Sequence, residues 1–209
     1  MTAFVVTGTD TGIGKTVFAA GLTAMLGASY WKPVQSGLEE ATDSQIVAGL
    51  SGGCTTLPEA YRLKMPASPH ISAAAEGRTI DPARLAPPAV RPLVIEAAGG
   101  LMVPLNDEVL YLDVIANWGL PVILCARTAL GTINHSLLSL AALRQAGASM
   151  EGIAFIGDAE PLVEETICRM GAVRRLGRLP RLADLTPNTL KAAFDAAFTS
   201  ADFTTGGRR

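Results

Sequence analysis

The stretch VVTGTDTGIGKT, residues 5–16, ends in Gly-Lys-Thr and carries the residue types that bind phosphate. In such a loop, backbone N–H groups at a helix start hold phosphate oxygens, the Lys15 ammonium lies between the outer phosphates, and the Thr16 hydroxyl can bind Mg²⁺. The common pattern has four residues between its first Gly and the Gly before the Lys, whereas five residues separate Gly8 from Gly14. Because the stretch follows an apolar strand and opens a helix, we predict a nucleotide site with a lengthened loop.

Lys32 and two acidic residues could complete a site for phosphoryl transfer. Lys32 closes a predicted strand, and the carboxyl ends of strands in an open parallel sheet line the ligand crevice, so a second ammonium could face the phosphates there. Glu96 ends the apolar strand PLVIE, where a free charge is costly to bury without a cation. Mg²⁺ takes few protein carboxylates and keeps waters and phosphate oxygens. We therefore predict Thr16, Asp43 and Glu96 as metal ligands.

Each of these residues also has a structural interpretation. Lys32 could be a solvated lysine, Glu96 could be a helix cap or half of a salt bridge, and Ser36 could be a turn-forming hydroxyl. Asp43 could cap the helix SQIVAGL, and this role is compatible with metal binding. We favour chemistry for Lys32 because the chain has only four lysines and its other basic residues are arginines.

Two further segments offer backbone groups to a ligand. The Gly99-Gly100 pair follows Glu96 and would let the backbone approach a ligand closely. Residues 131–134 open a helix and so offer a second helix N-terminus for an anion, although local capping and packing could explain residues 134 and 135. For His70, which stands alone before ISAAAEG, we favour a cap or loop contact over a catalytic base.

Strands and helices alternate along the chain in an order that positions such loops. Short runs rich in Val, Ile and Leu predict strands at 3–7, 29–32, 93–96, 121–126 and 152–157. Helical segments are predicted at 16–26, 132–146, 162–170 and 189–197, and we expect a flexible tail from about residue 199. Because the strands are apolar on both faces, we predict a single-domain α/β fold: a mostly parallel sheet with helices on both faces.

Composition narrows the classes of partner. The chain has 209 residues, a formal net charge of −2 and a pI near 5.7, so it lacks the basic footprint of a nucleic-acid binder. Its three cysteines form no CxxC motif and no Cys/His cluster, which is typical of reduced thiols in a cytoplasmic protein. The uncharged stretch 17–31 is too short to span a membrane, and the first residues do not resemble a signal peptide.

Several motifs in a fixed order are similar to those of one family. The loop GTDTGIGKT is followed by WKPVQSG at 31–37, a Thr-Asp pair at 42–43, SPH at 68–70, EAAGGLMVPL at 96–105, LGTINHSLLS at 130–139 and LGRLP at 176–180. Over roughly positions 3–182 the chain resembles dethiobiotin synthetase, the ATP-dependent carboxylase that closes the ureido ring late in biotin synthesis. Several motifs in the same order identify a family much more specifically than a single phosphate loop does.

The resemblance implies a P-loop NTPase fold and an ATP- and Mg²⁺-dependent cyclo-ligase. Its substrates would be 7,8-diaminononanoate, CO₂ and ATP, and its products dethiobiotin, ADP and phosphate. One amine forms a carbamate, the carbamate attacks the γ-phosphate, and the other amine closes the ring. The resemblance also implies a homodimer, in which the helix start at 131–134 receives the substrate carboxylate from across the interface.

The site residues follow from the same resemblance. Lys15 and Lys32 are the expected catalytic residues, and replacing either with Ala is expected to leave the fold intact and remove turnover. The expected ATP-binding residues are Thr11, Gly12, Ile13, Gly14, Lys15, Thr16, Val17, Asp43, Glu96, Gly157 and Pro180. The expected substrate-binding residues are Thr11, Lys32, Ser36, Gly99, Gly131, Thr132, Ile133 and Asn134.

Three positions depart from the family pattern. Ala97 stands where the family usually has Gly, and one added methyl requires only a permitted backbone angle. Ile156 stands where some members have an adenine-reading Asn, so either Asp158 or backbone groups contact the base, or nucleotide selectivity is looser. Gly12 replaces an acidic residue that some relatives have in the loop, which removes one possible nucleotide contact.

Three other functions share parts of this pattern. A cobyrinate synthetase of the amidase type has a similar loop but needs a glutaminase domain, for which 209 residues leave no room. A partition-type ATPase switch carries an extra Lys near the start of the loop, where this chain has the sequence GTDT. A non-catalytic nucleotide-binding subunit would keep the loop and lose the chemistry.

Overall fold

Nine strands and seven α-helices alternate along residues 2–203, the part of the chain that this computed structural model describes. The strands are β1 (Ala3–Gly8), β2 (Ser29–Trp31), β3 (Val34–Ser36), β4 (Thr56–Leu57), β5 (Tyr61–Leu63), β6 (Leu93–Glu96), β7 (Val122–Arg127), β8 (Met150–Ile156) and β9 (Arg175–Leu179). The helices are α1 (Lys15–Leu26), α2 (Asp43–Leu50), α3 (Pro69–Ala74), α4 (Tyr111–Trp118), α5 (Thr132–Gln145), α6 (Pro161–Met170) and α7 (Pro187–Ala197).

Seven of the strands form one parallel sheet in the order β4-β2-β6-β1-β7-β8-β9. Strand β1 lies in the middle, with Val5 opposite Ile95 on one side and opposite Val122 on the other. Strands β3 and β5 form a separate two-stranded parallel sheet. Because neighbouring strands run in the same direction, the carboxyl ends of β1, β2, β6 and β7 meet at one edge, where ligands bind in open parallel sheets.

The two faces of the sheet are covered by different helices. Side chains alternate across β1, so Phe4 and Val6 pack in a core with residues of α1 and α7, whereas Val5 packs in a core with residues of α4, α5 and α6. Burial on both faces explains why the central strands are continuous apolar runs. The predicted α/β fold, with a parallel sheet between two helical layers, is confirmed.

The end of the described chain is packed rather than frayed. Residues Ser200–Phe203 form a 3₁₀ turn, and the Phe203 side chain is buried. Its ring lies edge-on to Phe4, with the centroids 6.0 Å apart, and it also packs near Phe18 and Phe198. Within the segment from about residue 199 that we predicted as a flexible tail, apolar burial against β1 and α1 holds this turn in place. The rest of that segment, 204–209, lies outside the described residues, and the flexible tail stays a prediction.

The sequence patterns missed the shortest elements. Strands β3, β4 and β5 have two or three residues each, which is too short for a periodic pattern. Helices α3 and α4 have only six and eight residues. Strand β9 has arginines on both of its faces, at positions 175 and 178, so it does not read as an apolar run. No helix within residues 2–203 is long and apolar enough to cross a membrane.

Candidate functional site

The phosphate loop runs from the end of β1 to the start of α1. Gly14 is the residue before the first helical position and has φ +96°, a conformation that favours glycine. Gly8 has no room for a side chain, since a Cβ there would lie 2.5 Å from Ile13 Cδ1 and 2.9 Å from Lys15 Cδ. The loop therefore folds closely around the Lys15 side chain, which is buried and donates from Nζ to the carbonyl of Asp10 at 2.7 Å.

Lys32, Asp43 and Glu96 meet beside this loop. Lys32 Nζ lies 2.6 Å from Asp43 Oδ2 and 3.1 Å from Glu96 Oε1. The Thr16 hydroxyl lies 3.1 Å from Asp43 Oδ1 and 2.9 Å from Glu96 Oε1. The structure thus brings together all three predicted metal ligands and Lys32. Lys32 is buried, so its interpretation as a solvated lysine is wrong.

Tyr30 is a part of this cluster that sequence reasoning missed. Its buried hydroxyl donates to Glu96 Oε2 at 2.8 Å, so both oxygens of the Glu96 carboxylate are engaged. Tyr30 lies in β2 and Glu96 in the neighbouring β6, where the pairing register sets Tyr30 opposite Val94. An apolar strand gives no sign that its tyrosine will meet a carboxylate 66 residues away.

Burial and charge shift the pKa values of this cluster in different directions. Burial alone would lower the pKa of Lys32, but the adjacent Glu96 and Asp43 carboxylates raise it above its ordinary value. Burial would raise the pKa of Asp43, whereas the contact with Lys32 lowers it. Among the described residues Lys15 has no carboxylate at contact distance, and burial, the largest cause, lowers its pKa. The site therefore holds a charged lysine between two carboxylates, with a second buried lysine beside them whose ammonium lacks a carboxylate in contact.

Asp43 owes its position to its neighbours rather than to a capping role. The N-cap of α2 is Thr42, whose side chain accepts from the Gln45 backbone N–H while the Gln45 side chain accepts from Thr42 N. Asp43 is the first residue of the helix, and its backbone N–H donates to Gln35 Oε1 at 3.1 Å. The interpretation of Asp43 as the helix cap is wrong, because Thr42 fills that position and leaves the Asp43 carboxylate free for Lys32 and Thr16.

A cavity of about 470 Å³ opens next to this cluster. Five of the predicted site residues line it: Thr11, Lys32, Ser36, Asp43 and Gly99. The Ser36 hydroxyl is buried and has no hydrogen-bond partner among residues 2–203, so it is available to a ligand in the cavity. The remaining wall comes from residues 34, 35, 66–69, 98 and 103.

The loop after β6 approaches the phosphate loop closely. Gly99 has φ +63°, and a Cβ there would lie 2.9 Å from Val103 Cγ2 and 3.4 Å from Thr11 Oγ1. Ala97, the departure from the family pattern, is buried, and Ala172 is the only residue other than glycine with positive φ within residues 2–203. The Ala97 carbonyl lies 3.3 Å from Lys32 Nζ and accepts a hydrogen bond from it. The added methyl is accommodated without backbone strain.

The start of α5 lies apart from this cavity. Gly131 has φ +91° and precedes the first helical residue without a side-chain cap, and Asn134 is exposed. None of residues 131–134 lines the cavity beside Lys32. Their predicted role in substrate binding stays a prediction, and it would need a second chain or a second part of the ligand.

The predicted base-binding residues lie at the ends of β8 and β9. The Gly157 N–H donates to Leu179 O at 3.0 Å, and Pro180 follows β9 directly. The Ile156 side chain packs towards the loop, since a Cβ on Gly14 would lie 3.0 Å from Ile156 Cγ2. Gly157 and Pro180 stay predictions, as does Val17 on α1, and Gly12 lies exposed in the loop with φ +69°.

His70 lies on α3, outside the cavity beside Lys32. Its Nδ1 is 3.3 Å from the Ser68 hydroxyl, and it lines a separate cavity of about 250 Å³ with Arg78 and Asn106. The structure does not bring His70 to the lysines. This placement agrees with a local contact rather than a catalytic base.

Comparison with known proteins gives the same fold and a specific family. A family described as AAA domain matches residues 2–189. A structure titled ParA family ATPase, from Chlorobium tepidum TLS, superposes with a TM-score of 0.56 at 10% identity and covers 92% of this chain and 97% of that chain. At this identity the likeness shows the fold alone, which is the predicted P-loop NTPase fold.

Three curated relatives carry one and the same name, ATP-dependent dethiobiotin synthetase BioD. The protein from Agrobacterium fabrum (strain C58) is 63% identical over 203 residues, which is 96% of each chain. The protein from Bradyrhizobium sp. (strain BTAi1) is 64% identical over 95% of this chain and 97% of its own. The protein from Novosphingobium aromaticivorans is 56% identical over 97% of this chain and all of its own length. This chain therefore belongs to the dethiobiotin synthetase family.

Proposed function

We propose that this protein is an ATP-dependent dethiobiotin synthetase, which joins CO₂ to the two amines of 7,8-diaminononanoate and closes a cyclic urea. The observation that carries the proposal is the meeting of Lys15, Lys32, Thr16, Asp43 and Glu96 at one sheet edge, in a chain 56–64% identical to relatives of that name. The partition-type switch is not favoured, because the likeness to a ParA family ATPase at 10% identity extends only to the fold.

ATP would bind at the phosphate loop, with its phosphates at the start of α1. The Lys15 ammonium has only the Asp10 carbonyl as a hydrogen-bond partner within the described residues, so it can turn towards a phosphate without breaking an ion pair. Burial lowers its pKa and removes part of its water shell, which strengthens its attraction to an anion. Lys15 would hold the outer phosphates and stabilise the charge that develops on them.

Mg²⁺ would be held by the Thr16 hydroxyl and the Asp43 and Glu96 carboxylates. These oxygens fit the preference of Mg²⁺ for hard oxygen ligands, and Thr16 already touches both carboxylates. Within residues 2–203 no group of three or more His, Cys, Asp or Glu side chains could hold a metal, so the ion would depend on ATP for further ligands. When bound, Mg²⁺ neutralises charge on the phosphates.

The reaction forms two bonds to the carbon of CO₂. One amine of the substrate attacks CO₂ and gives a carbamate, and a carbamate oxygen then attacks the γ-phosphorus and displaces ADP. The other amine attacks the carbonyl carbon of this mixed anhydride, and phosphate leaves with the oxygen that came from CO₂. Lys32, held positive by Glu96 and Asp43, would hold the carbamate against the γ-phosphate.

The diamine would lie in the cavity beside Lys32. The unpartnered Ser36 hydroxyl can take a hydrogen bond from an amine, and Gly99 lets the backbone approach the same ligand. The carboxylate at the far end of the substrate would reach the start of α5 at residues 131–134. Because those residues do not line the cavity, we assign them to the second chain of a homodimer.

Exposed apolar side chains support this dimer. Leu130 is fully exposed, and Leu138 and Met102 are each 62% exposed. Leu138 and Met102 line one surface depression together with residues 9–11 of the phosphate loop. Exposed apolar side chains gathered at one place mark an interface. In the shared active site, the start of each α5 would lie against the partner's cavity. We also propose that the enzyme works in the cytoplasm.

A product assay tests this proposal. Purified protein is incubated with the diamine, bicarbonate, Mg²⁺ and ATP, and the cyclic urea is sought by mass spectrometry while phosphate release is measured. We expect phosphate release to require the diamine and to match the cyclic urea one to one. ATP hydrolysis that is independent of the diamine, with no cyclic urea, would refute the proposal.

A further inference from the structure

An ion pair ties the phosphate loop to the end of a neighbouring strand. Arg127 is the last residue of β7, and its guanidinium lies 2.8 Å from the Asp10 carboxylate in the loop. The two residues are 117 positions apart in the chain. We propose that Arg127 is a positioning residue: through Asp10 it fixes the phosphate loop in the shape that binds ATP. The inference rests on the proposed function for its kinetic test.

Asp10 connects Arg127 to Lys15 through three contacts. Asp10 Oδ2 accepts from Arg127, and Asp10 Oδ1 accepts from the Thr11 backbone N–H at 2.7 Å. The Asp10 carbonyl accepts from Lys15 Nζ, also at 2.7 Å. The carboxylate is thus held at both oxygens, and the carbonyl of the same residue accepts from the Lys15 ammonium. A change at Arg127 would reach Lys15 through a single residue.

The backbone around Arg127 is anchored independently of this pair. Strand β7 lies beside β1, and the Thr9 N–H donates to Cys125 O at 3.1 Å. After Arg127, the Thr128 N–H donates to Ile156 O, and the Thr128 side chain packs under Gly157. Arg127 therefore projects from a fixed strand end, whereas residues 10–12 of the loop lack such strand pairing. An arginine on an anchored strand end can hold the carboxylate of a loop residue that lacks strand pairing, which is the arrangement a positioning residue needs.

The energetics separate this role from a contribution to folding. The Arg127 and Asp10 side chains are 41% and 45% exposed, and ion pairs this exposed contribute only ~0–1 kcal/mol to stability. A carboxylate beside the triphosphate would, however, repel it unless a cation neutralised its charge. Arg127 supplies that cation. Losing it would weaken ATP binding in two ways, by loosening the loop and by leaving an anion uncompensated, while the melting temperature would hardly change.

A double-mutant cycle tests the proposal. Arg127→Gln removes the cation, and Asp10→Asn removes the anion but keeps an oxygen for the Thr11 N–H. Affinity for ATP is measured with a fluorescent ATP analogue, and KM and kcat are measured with the diamine and bicarbonate. We expect Arg127→Gln to raise the Kd and the KM for ATP about ten-fold, which lies below the ~10²-fold effect of misplacing a reacting group by an ångström.

The double variant carries the decisive result. If Arg127 acts through Asp10, the double variant binds ATP no more weakly than Arg127→Gln, because the unpaired anion is gone. If the losses of ATP affinity in the two single variants multiply in the double variant, Arg127 acts on the ligand directly and the proposal is overturned. Normal ATP affinity in Arg127→Gln would overturn it as well.

A control variant and melting temperatures separate a loss of ATP affinity from a loss of folding, and the ATP titration does not depend on the reaction. Lys191→Ala removes another exposed ion pair, with Asp195 on α7, and should leave both ATP affinity and turnover unchanged. Melting temperatures of all variants should agree within about 2 °C. If the wild-type protein made no cyclic urea, the proposed function would fail, whereas the ATP titrations would still support or overturn the role of Arg127.

Discussion

The two lysines of the site should differ in what their removal does to the fold. Sequence reasoning expected either lysine to be dispensable for folding. In the structure, Lys32 is the only cation in contact with the buried Glu96 carboxylate among the described residues, and it also contacts Asp43. The Lys15 ammonium hydrogen-bonds only to a backbone carbonyl within residues 2–203. Lys32→Met should therefore leave two partly desolvated carboxylates unpaired, whereas Lys15→Met leaves no charge behind.

The structure sets the size of this difference. Removing one partner of a buried ion pair costs about 3–5 kcal/mol. The Asp43 side chain is 25% exposed and can be rehydrated, so we take the lower end, about 3 kcal/mol. For a chain of this size 1 kcal/mol shifts the melting temperature by roughly 2–4 °C. Lys32→Met should melt about 6–12 °C below the wild type, and Lys15→Met within about 2 °C of it.

Thermal unfolding followed by circular dichroism measures both variants, and turnover is measured in parallel. Both should lose about 10²-fold or more in kcat, by analogy with removal of a transition-state donor. The double variant Lys32→Met with Glu96→Gln also removes the unpaired Glu96 charge. It should therefore regain most of the melting temperature lost in Lys32→Met, without regaining turnover. Equal melting temperatures for Lys32→Met and the wild type would refute the claim that Lys32 neutralises buried carboxylates.

Three further substitutions test the hydrogen bond of Tyr30, the proposed dimer and the pH dependence of stability. Tyr30→Phe should lower stability by about 1 kcal/mol and turnover several-fold, because Glu96 loses a buried hydrogen bond; unchanged unfolding and kinetics would contradict this. Leu138→Glu should convert a dimer to monomers in light scattering and remove turnover while leaving ATP affinity unchanged; an active monomer would contradict the shared site. Hydrogen bonds from Thr199 and the charge of Arg174 lower the pKa of Asp202 against the opposing effect of burial, so its stabilisation is present above the ordinary Asp pKa and is lost as the pH falls through the lowered value. The melting temperatures of the wild type and Asp202→Asn should therefore converge as the pH falls below about 4, and a constant difference would contradict this.

The sequence predicted the sheet and its ligand edge because these depend on patterns that are local in the chain. Apolar runs located the five central strands, and Gly8 and Gly14 marked the loop between β1 and α1. Lys32 and Glu96 could be placed at strand ends without coordinates, since carboxyl ends of parallel strands share one edge. The resemblance to one family then supplied their roles.

Contacts that depend on side-chain register could not be read in this way. Tyr30 reaches Glu96 only because β2 pairs with β6, and Arg127 reaches Asp10 only because β7 lies beside β1. The sequence suggested Asp43 as a helix cap, but the Gln at the third helical position makes Thr42 the cap. The 3₁₀ turn that ends in Phe203 was missed because its packing partner Phe4 lies at the other end of the chain.

In the proposed reaction, an oxygen of CO₂ attacks the γ-phosphorus and leaves with the phosphate. Single-turnover reactions started with ¹⁸O-labelled bicarbonate in unlabelled water, quenched before the label exchanges with solvent, test this directly through the mass of the released phosphate. We expect one ¹⁸O in the phosphate for each cyclic urea formed. Phosphate that carries no ¹⁸O from bicarbonate, and takes its new oxygen from labelled water in the converse experiment, would contradict it.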